Sequence, residues 1–175
     1  VMMTLDEIRA LIRTVPDFPK ENIMFRDITP VLRNPAALRA VIEHLADCFR
    51  DDKVEVVVGI ESRGFMFAVP LALALGAGFV PVRKLGKLPA EVVQAEYALE
   101  YGTNTVEMHR DAIQPGDRVI IVDDLIATGG TAGAAIDLVE QLGGEICRLL
   151  FLVELAGLKG REGLQGYEVH SLITF

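Results

Sequence analysis

Cations are in short supply. The 175-residue chain carries 17 Lys and Arg against 25 Asp and Glu, a net charge of −8. That balance argues against nucleic acid or an anionic membrane as the main partner. Cysteine is scarce too, with Cys48 and Cys147 the only two. They stand in apolar surroundings without metal-binding spacing, so buried, reduced thiols are expected. No signal peptide is expected, because Asp6, Glu7 and Arg9 interrupt the N-terminal segment. Residues 64 to 82 carry no charge, close to the length of a membrane span, but Pro70, Gly76, Gly78 and Pro81 divide them. A buried helix over about Phe65 to Leu75, a turn and a strand from Phe79 fit better. Repeats, linkers and a second domain are also lacking. With 51% apolar residues, one domain spanning 1–175 with a full core is expected.

What is present is organised around Val119-Ile-Ile-Val-Asp-Asp-Leu-Ile-Ala-Thr-Gly-Gly-Thr131. Val119 to Val122 reads as a short strand buried on both faces, with Asp123 and Asp124 at its C-terminal end. Ala127 to Thr131 is a loop of small residues, and Ala132 to Leu142 has helical periodicity. In open α/β sheets, ligands bind beyond the carboxyl ends of the strands. A small-residue turn feeding a helix offers free N–H groups and a positive dipole end to a phosphate. Two carboxylates would not be placed beside an anion for phosphate alone, but carboxylates accept hydrogen bonds from sugar hydroxyls. Together they ask for vicinal hydroxyls near a terminal phosphate, as in a ribose 5-phosphate. The competing reading has the acids cap the helix while the glycines merely make the turn. Gly129-Gly130-Thr131 is not a P-loop, since no Gly-Lys-Ser/Thr follows, and no strand is followed by Gly-x-Gly-x-x-Gly.

The remaining segments alternate strand and helix. Thr4 and Glu7 form a capping box for a first helix with apolar Leu5, Ile8, Leu11 and Ile12, ended by Pro16. Residues 17 to 30 are too long for a simple connection and point to a functional loop or small subdomain. Asn34-Pro35 opens a second helix with Leu38, Val41, Ile42, Leu45 and Phe49 as its buried stripe; His44 beside it reads as structural. Val54 to Ile60 is a valine-rich strand followed by Glu61-Ser-Arg-Gly64. Arg63 there could grip a phosphate with two N–H groups, or pair with a nearby carboxylate. Phe79 to Val82 leads into Arg83-Lys-Leu-Gly-Lys87, three cations in five residues, a solvated turn or a clamp for a diphosphate. Val92 to Gly102 with Thr105 to His109 reads as a long hairpin projecting from the sheet, able to close over a ligand. Ile146 to Leu155 and Val169 to Phe175 are the last strands, joined by a polar loop over 157–166. The sum is a three-layer α/β domain around a mostly parallel sheet.

The stretch from Val119 to Thr131 resembles the phosphoribosyl-diphosphate signature of type I phosphoribosyltransferases. Phe25-Arg-Asp-Ile-Thr-Pro30, Glu61-Ser-Arg-Gly-Phe65, Arg83-Lys-Leu-Gly-Lys-Leu-Pro89, Leu99-Glu-Tyr-Gly102 and Glu154-Leu-Ala-Gly-Leu-Lys-Gly-Arg161 occur in order. With them the likeness narrows to the adenine phosphoribosyltransferases, over residues from near Pro16 to about Leu164. The resemblance implies a five-stranded sheet of order 3-2-1-4-5, a small hood mainly from 17–33, and a flexible lid over 88–107. It implies conversion of adenine and phosphoribosyl diphosphate to AMP and diphosphate in purine salvage, with Mg²⁺, by a cytoplasmic homodimer. It places Met24, Arg26 and Leu155 at adenine, Arg63, Lys84 and Lys87 at the diphosphate, and Arg83 there or in the partner subunit's site. Glu100 and Tyr101 fall in the lid, Glu100 as the candidate for handling the purine proton and Tyr101 toward the diphosphate. Asp123 and Asp124 would hold the ribose hydroxyls, and Ala127, Thr128, Gly129, Gly130 and Thr131 the 5′-phosphate. Mg²⁺ would be held through substrate oxygens and water, with no cage made only of protein.

The residues suit that chemistry. Cleaving the bond from C1′ to diphosphate builds oxocarbenium character, which carboxylates beneath the sugar stabilise. Two departures from the family pattern stand out: Glu21-Asn22 where Pro-Gly is common, and Glu61 where Asp is common. Asn tolerates the left-handed conformation such a turn needs. Two other hypotheses remain at this level. One is a non-catalytic sensor of phosphoribosyl diphosphate that controls transcription, against which stand the acidic charge and the lack of an appended DNA-binding domain. The other is an enzyme of the same fold that takes guanine or xanthine.

Overall fold

The computed structural model describes residues 1–50, 52–99 and 101–175. The chain forms two compact units, Val1–His44 and Leu45–Phe175. In the first, Thr4 and Glu7 make the reciprocal capping box of helix α1 (Leu5–Leu11). The helix stops at Leu11 rather than at Pro16, because Ile12 turns to extended backbone. Strand β1 (Arg13–Val15) then pairs antiparallel with β2 (Phe25–Asp27). That pairing is non-local, and local periodicity carries no sign of it.

Asn22, in the turn between these strands, has φ 66°, and its N–H donates to Asp17 at 2.7 Å. An asparagine thus serves where glycine is usual. Asp27 accepts from the Thr29 N–H at 2.9 Å, the Thr29 hydroxyl at 2.7 Å and Arg13 Nε at 2.9 Å. The Thr29 donors, then Arg13, hold its carboxyl down to about 2. Helix α2 (Thr29–Arg33) follows, and Asn34 Oδ1 caps α3 (Pro35–Asp47) through the Ala36 and Ala37 amides. Val41 and Leu45 of α3 are buried, while Leu38 and Ile42 are half-buried. His44 Nε2 lies 3.0 Å from the Met3 carbonyl oxygen, a structural contact.

The second unit is built on a sheet of seven strands. They are β3 (Val56–Ile60), β4 (Gly78–Lys84), β5 (Val92–Ala98), β6 (Thr103–His109), β7 (Arg118–Ile126), β8 (Glu145–Glu154) and β9 (Val169–Thr174), in spatial order β5-β6-β4-β3-β7-β8-β9. The five from β4 to β9 across the sheet run parallel, and β6 and β5 join antiparallel. Five strands were expected and, among the described residues, seven are found, because β5 and β9 flank the expected set at its two edges. Counting β6 as third in sequence recovers the order 3-2-1-4-5, with β9 as sixth and β5 outside it.

Alternate residues of the central strands face opposite helices. Val58, Ile60, Val119, Ile121, Leu149 and Phe151 share a cluster with Ala135, Leu138 and Val139 of α5 (Gly130–Gln141). Gly59, of the other parity, lies against α4 (Arg63–Leu75): a Cβ there would be 2.7 Å from Ala68 Cβ and 2.8 Å from the Phe79 ring. Helix α4 continues through Pro70 and ends at Gly76, whose φ is 66°. Val93, Ala95, Val106 and Met108 of the hairpin belong to the α5-side cluster. Cys48 and Cys147 form no disulfide and are half-buried, where full burial was expected.

Candidate functional site

Strand β7 does not end before the acidic pair. It runs on to Ile126 because β8 continues beside it, pairing Asp123 with Phe151 and Ile126 with Glu154. On its other side β3 pairs only as far as Val122, opposite Gly59. Asp123 and Asp124 therefore sit where one flank of β7 is paired and the other is open, and the chain leaving β3 turns through Glu61 and Ser62 into α4. The Glu61–Ser62 peptide is cis.

Two helix starts face this opening. Helix α5 has Gly129 as its N-cap, no side-chain cap and no acidic residue in its first turn. Helix α4 has Ser62 as N-cap and likewise neither a side-chain cap nor an acid. The first amides of an α-helix have no partner within it, so both ends are suited to anions. Between them lie two adjoining clefts. One, of about 230 Å³, is lined by Arg63, Asp123, Asp124, the whole of Leu125 to Ala132, and Phe151. The other, of about 290 Å³, is lined by Ile60, Glu61, Ser62, Arg63, Lys84, Tyr97, Asp123, Asp124 and Thr131. The acids are shared by both.

The electrostatics follow from this crowding. Arg63 Nε is 2.7 Å from Asp124 Oδ2. Of Asp124, 5% is exposed. Asp123 accepts the Asp124 N–H at 2.8 Å. Burial, then the charge of Asp124, push the Asp123 carboxyl well above its ordinary value. Gly64 makes this approach possible: a Cβ there would be 2.9 Å from the Val122 carbonyl oxygen and 3.0 Å from Asp123 Oδ1. Across the opening, Glu61 accepts Arg83 Nη2 and the Lys84 N–H, each at 2.9 Å. The Arg83 hydrogen bond is the main force holding the Glu61 carboxyl below its usual range. Glu107, nearly buried, accepts the Gly86 N–H and so fixes the turn from Arg83 to Lys87.

The structure brings together Arg63, Lys84, Asp123, Asp124 and Ala127 to Thr131. Arg63 pairs with Asp124, the second of its two expected roles, and also lines both clefts. Arg83 is turned to Glu61 of its own chain. Among the described residues, Arg83, Lys87, Tyr101 and Leu155 are not in the lining of either cleft. Lys87 and Tyr101 are exposed, and Leu155 donates its N–H to the Ile126 carbonyl beside the small-residue loop. Met24 is exposed in the first unit, where Arg26 of β2 donates to Thr14 Oγ1 at 2.7 Å. Glu100 lies outside the described residues. Ser62, Tyr97 and Phe151 were missed as lining residues. Tyr97 shares strand parity with the buried Val93 and Ala95, and its ring approaches within 3.6 Å of a Cβ placed on Gly130. That alternation was the available signal.

An acidic pair between two uncapped helix starts, at the carboxyl edge of the parallel strands, is an arrangement suited to a polyhydroxyl group flanked by anions. The phosphoribosyl transferase domain model matches residues 27–171. Adenine phosphoribosyltransferase of Halothermothrix orenii is 56% identical over 167 residues, covering 95% of this chain and 98% of that one. The crystal structure of adenine phosphoribosyltransferase from Thermoanaerobacter pseudethanolicus superposes with a TM-score of 0.95 at 54% identity, covering 98% of this chain and all of that one. The Saccharomyces cerevisiae enzyme, crystallised with an imino-altritol bisphosphate and adenine, gives a TM-score of 0.91 at 46% identity, covering 96% and 97%. The chain belongs to the phosphoribosyltransferase family, among the adenine phosphoribosyltransferases.

Proposed function

We propose that this chain transfers the 5-phosphoribosyl group of phosphoribosyl diphosphate to N9 of adenine, releasing diphosphate and forming AMP for purine salvage. The observation that carries this is the spacing of charge along one sheet edge: uncapped α5, then Asp123 and Asp124, then uncapped α4 with Arg63 and Lys84. The 5′-phosphate takes the amides of Ala127 to Thr131, the ribose hydroxyls take the two carboxylates, and the diphosphate takes Arg63 and Lys84. As the bond at C1′ lengthens, positive charge grows on the ribose above the acids, while negative charge grows on the diphosphate beside the cations. Burial of Asp124 removes water that would weaken both interactions.

Mg²⁺ is proposed to bind through diphosphate and ribose oxygens and water. Asp123 and Asp124 line both clefts and supply carboxylate oxygens, hard donors suited to that ion. When bound, the ion neutralises charge on the leaving diphosphate. Glu100 is proposed as the acid–base group for the purine proton, and Tyr101, Lys87 and Arg83 as diphosphate contacts once the lid closes. The roles of Met24, Arg26 and Leu155 toward adenine are proposed from the motifs in which they stand. A second copy of this chain is the proposed partner, since α4 leaves Met66, Val69 and Leu73 exposed along one face. Leu73→Asp is expected to shift the protein to monomer in size-exclusion chromatography. The cytoplasm is the proposed location, a reducing compartment in keeping with two cysteines that form no disulfide. Among the described residues, no helix is long and apolar enough to cross a membrane.

The activity is tested by product analysis with phosphoribosyl diphosphate and each purine base, with and without Mg²⁺. AMP from adenine is expected, dependent on Mg²⁺. A site fitted to a 6-amino donor rejects the 6-oxo acceptor of guanine and hypoxanthine. Turnover of those bases without adenine would reject the substrate assignment.

A further inference from the structure

The motif from Glu154 to Arg161 touches neither cleft, yet it forms a dense polar cluster. Glu154 ends β8 and is 8% exposed. Its carboxylate takes Arg161 Nε at 2.7 Å, Arg161 Nη2 at 2.8 Å and the Ser171 hydroxyl at 2.6 Å. Arg161 Nη1 donates to the Val169 carbonyl at 2.6 Å, and Nη2 reaches Ser171 Oγ at 3.2 Å. One guanidinium thus ties the turn over 156–164 to both β8 and β9. A lysine could supply the charge but not the planar fork.

The residue before Arg161 is Gly160, which is buried. Its backbone lies against the small-residue loop so closely that a Cβ on it would be 2.6 Å from the Ala127 carbonyl oxygen. A Cβ on Gly129 would be 2.6 Å from the Gly160 carbonyl oxygen. Lys159, just before, holds φ 55°, a conformation that non-glycine residues keep only when their surroundings enforce it. The chain of contact runs from Glu154 to Arg161, to the Gly160 backbone, and to Gly129 at the N-cap of α5.

We propose that the Glu154–Arg161 pair positions the 5′-phosphate loop through Gly160, making both residues specific supports of phosphoribosyl binding; this rests on the phosphoribosyl reading of the loop. Neither residue touches substrate. A displaced loop misaims the amides for the 5′-phosphate, while the diphosphate end, built on α4 and the turn after β4, is left in place.

The test uses the full chain with Arg161→Gln, Arg161→Lys and Glu154→Gln. Measured are KM for phosphoribosyl diphosphate and for adenine, kcat, inhibition constants for ribose 5-phosphate and for inorganic diphosphate, and thermal melts. Arg161→Gln is expected to raise KM for phosphoribosyl diphosphate and the ribose 5-phosphate constant by about 10- to 100-fold. The inorganic diphosphate constant is expected to move less than about twofold, as for a site without shared partners. Arg161→Lys should recover part of the loss. Should Arg161→Gln fail to fold, Glu154→Gln, which keeps the shape and weakens the pair, carries the same comparison. Losses spread evenly over all four constants, or no loss, would overturn the positioning role. A wild-type chain that does not bind ribose 5-phosphate at all would instead defeat the underlying reading of the loop.

Discussion

Gly129 and Gly160, 31 positions apart in sequence, meet backbone to backbone so that neither has room for a methyl group. Gly129 also has φ 86°, which L side chains rarely adopt. Gly129→Ala therefore adds left-handed strain to a collision with the Gly160 carbonyl. A destabilisation of about 1–3 kcal/mol is expected, with a rise in KM for phosphoribosyl diphosphate. Gly157→Ala, where nothing lies within 4 Å, is the control and should leave both unchanged. Thermal melts and initial rates on the three proteins check this.

Asp123 costs the fold stability when it is ionised. Its carboxyl is raised by burial and by Asp124, so the fold favours the protonated form. The contribution is fully present below the unfolded value, near 3.9, and is lost as pH rises through the higher folded value. Asp123→Asn should thus melt above wild type near neutral pH, by about 2–4 °C per kcal/mol relieved, and the gap should close toward acid. Its kcat/KM should fall by about 10²-fold, as for loss of one group that stabilises developing charge. Melting curves across pH without ligand give the first result; a gap independent of pH would show that charge burial is not its cause.

Asp27 behaves in the opposite sense. The Thr29 donors and Arg13 lower its carboxyl to about 2, so its stabilisation is present above the unfolded value and fades as pH falls through that number. Asp27→Ala should lower stability by about 1–2 kcal/mol near neutral pH. The difference from wild type should shrink in acid, where wild type loses the same bonds. Amide hydrogen exchange in residues 13–33 should report the change first.

Glu100→Ala isolates the proposed proton transfer. A general acid–base group contributes about 10²- to 10⁴-fold, so kcat should fall by that much while AMP still binds. An unchanged kcat removes Glu100 from the role.

Much of this was legible because it is local. The Thr4–Glu7 box, the Asn34 cap and the sequence of buried strand, acids, small-residue loop and helix from Val119 to Leu142 are all short-range patterns. What escaped depends on neighbours distant in sequence. Strand β7 extends past Asp124 because β8 pairs with it, α1 ends early because β1 must meet β2, and the β5–β6 hairpin joins β4 through Arg83 and Lys84. The pairing of Arg83 with Glu61 joins residues 22 positions apart, which local sequence does not show. The motif from Glu154 to Arg161 was visible as a likeness, but only coordinates reveal that it backs Gly129.

A crystal structure with AMP bound tests the account most directly. The phosphate should lie on the amides of Ala127 to Thr131, with the ribose hydroxyls within hydrogen-bonding distance of Asp123 or Asp124. A phosphate seated away from that loop, or a ribose facing neither carboxylate, would contradict it.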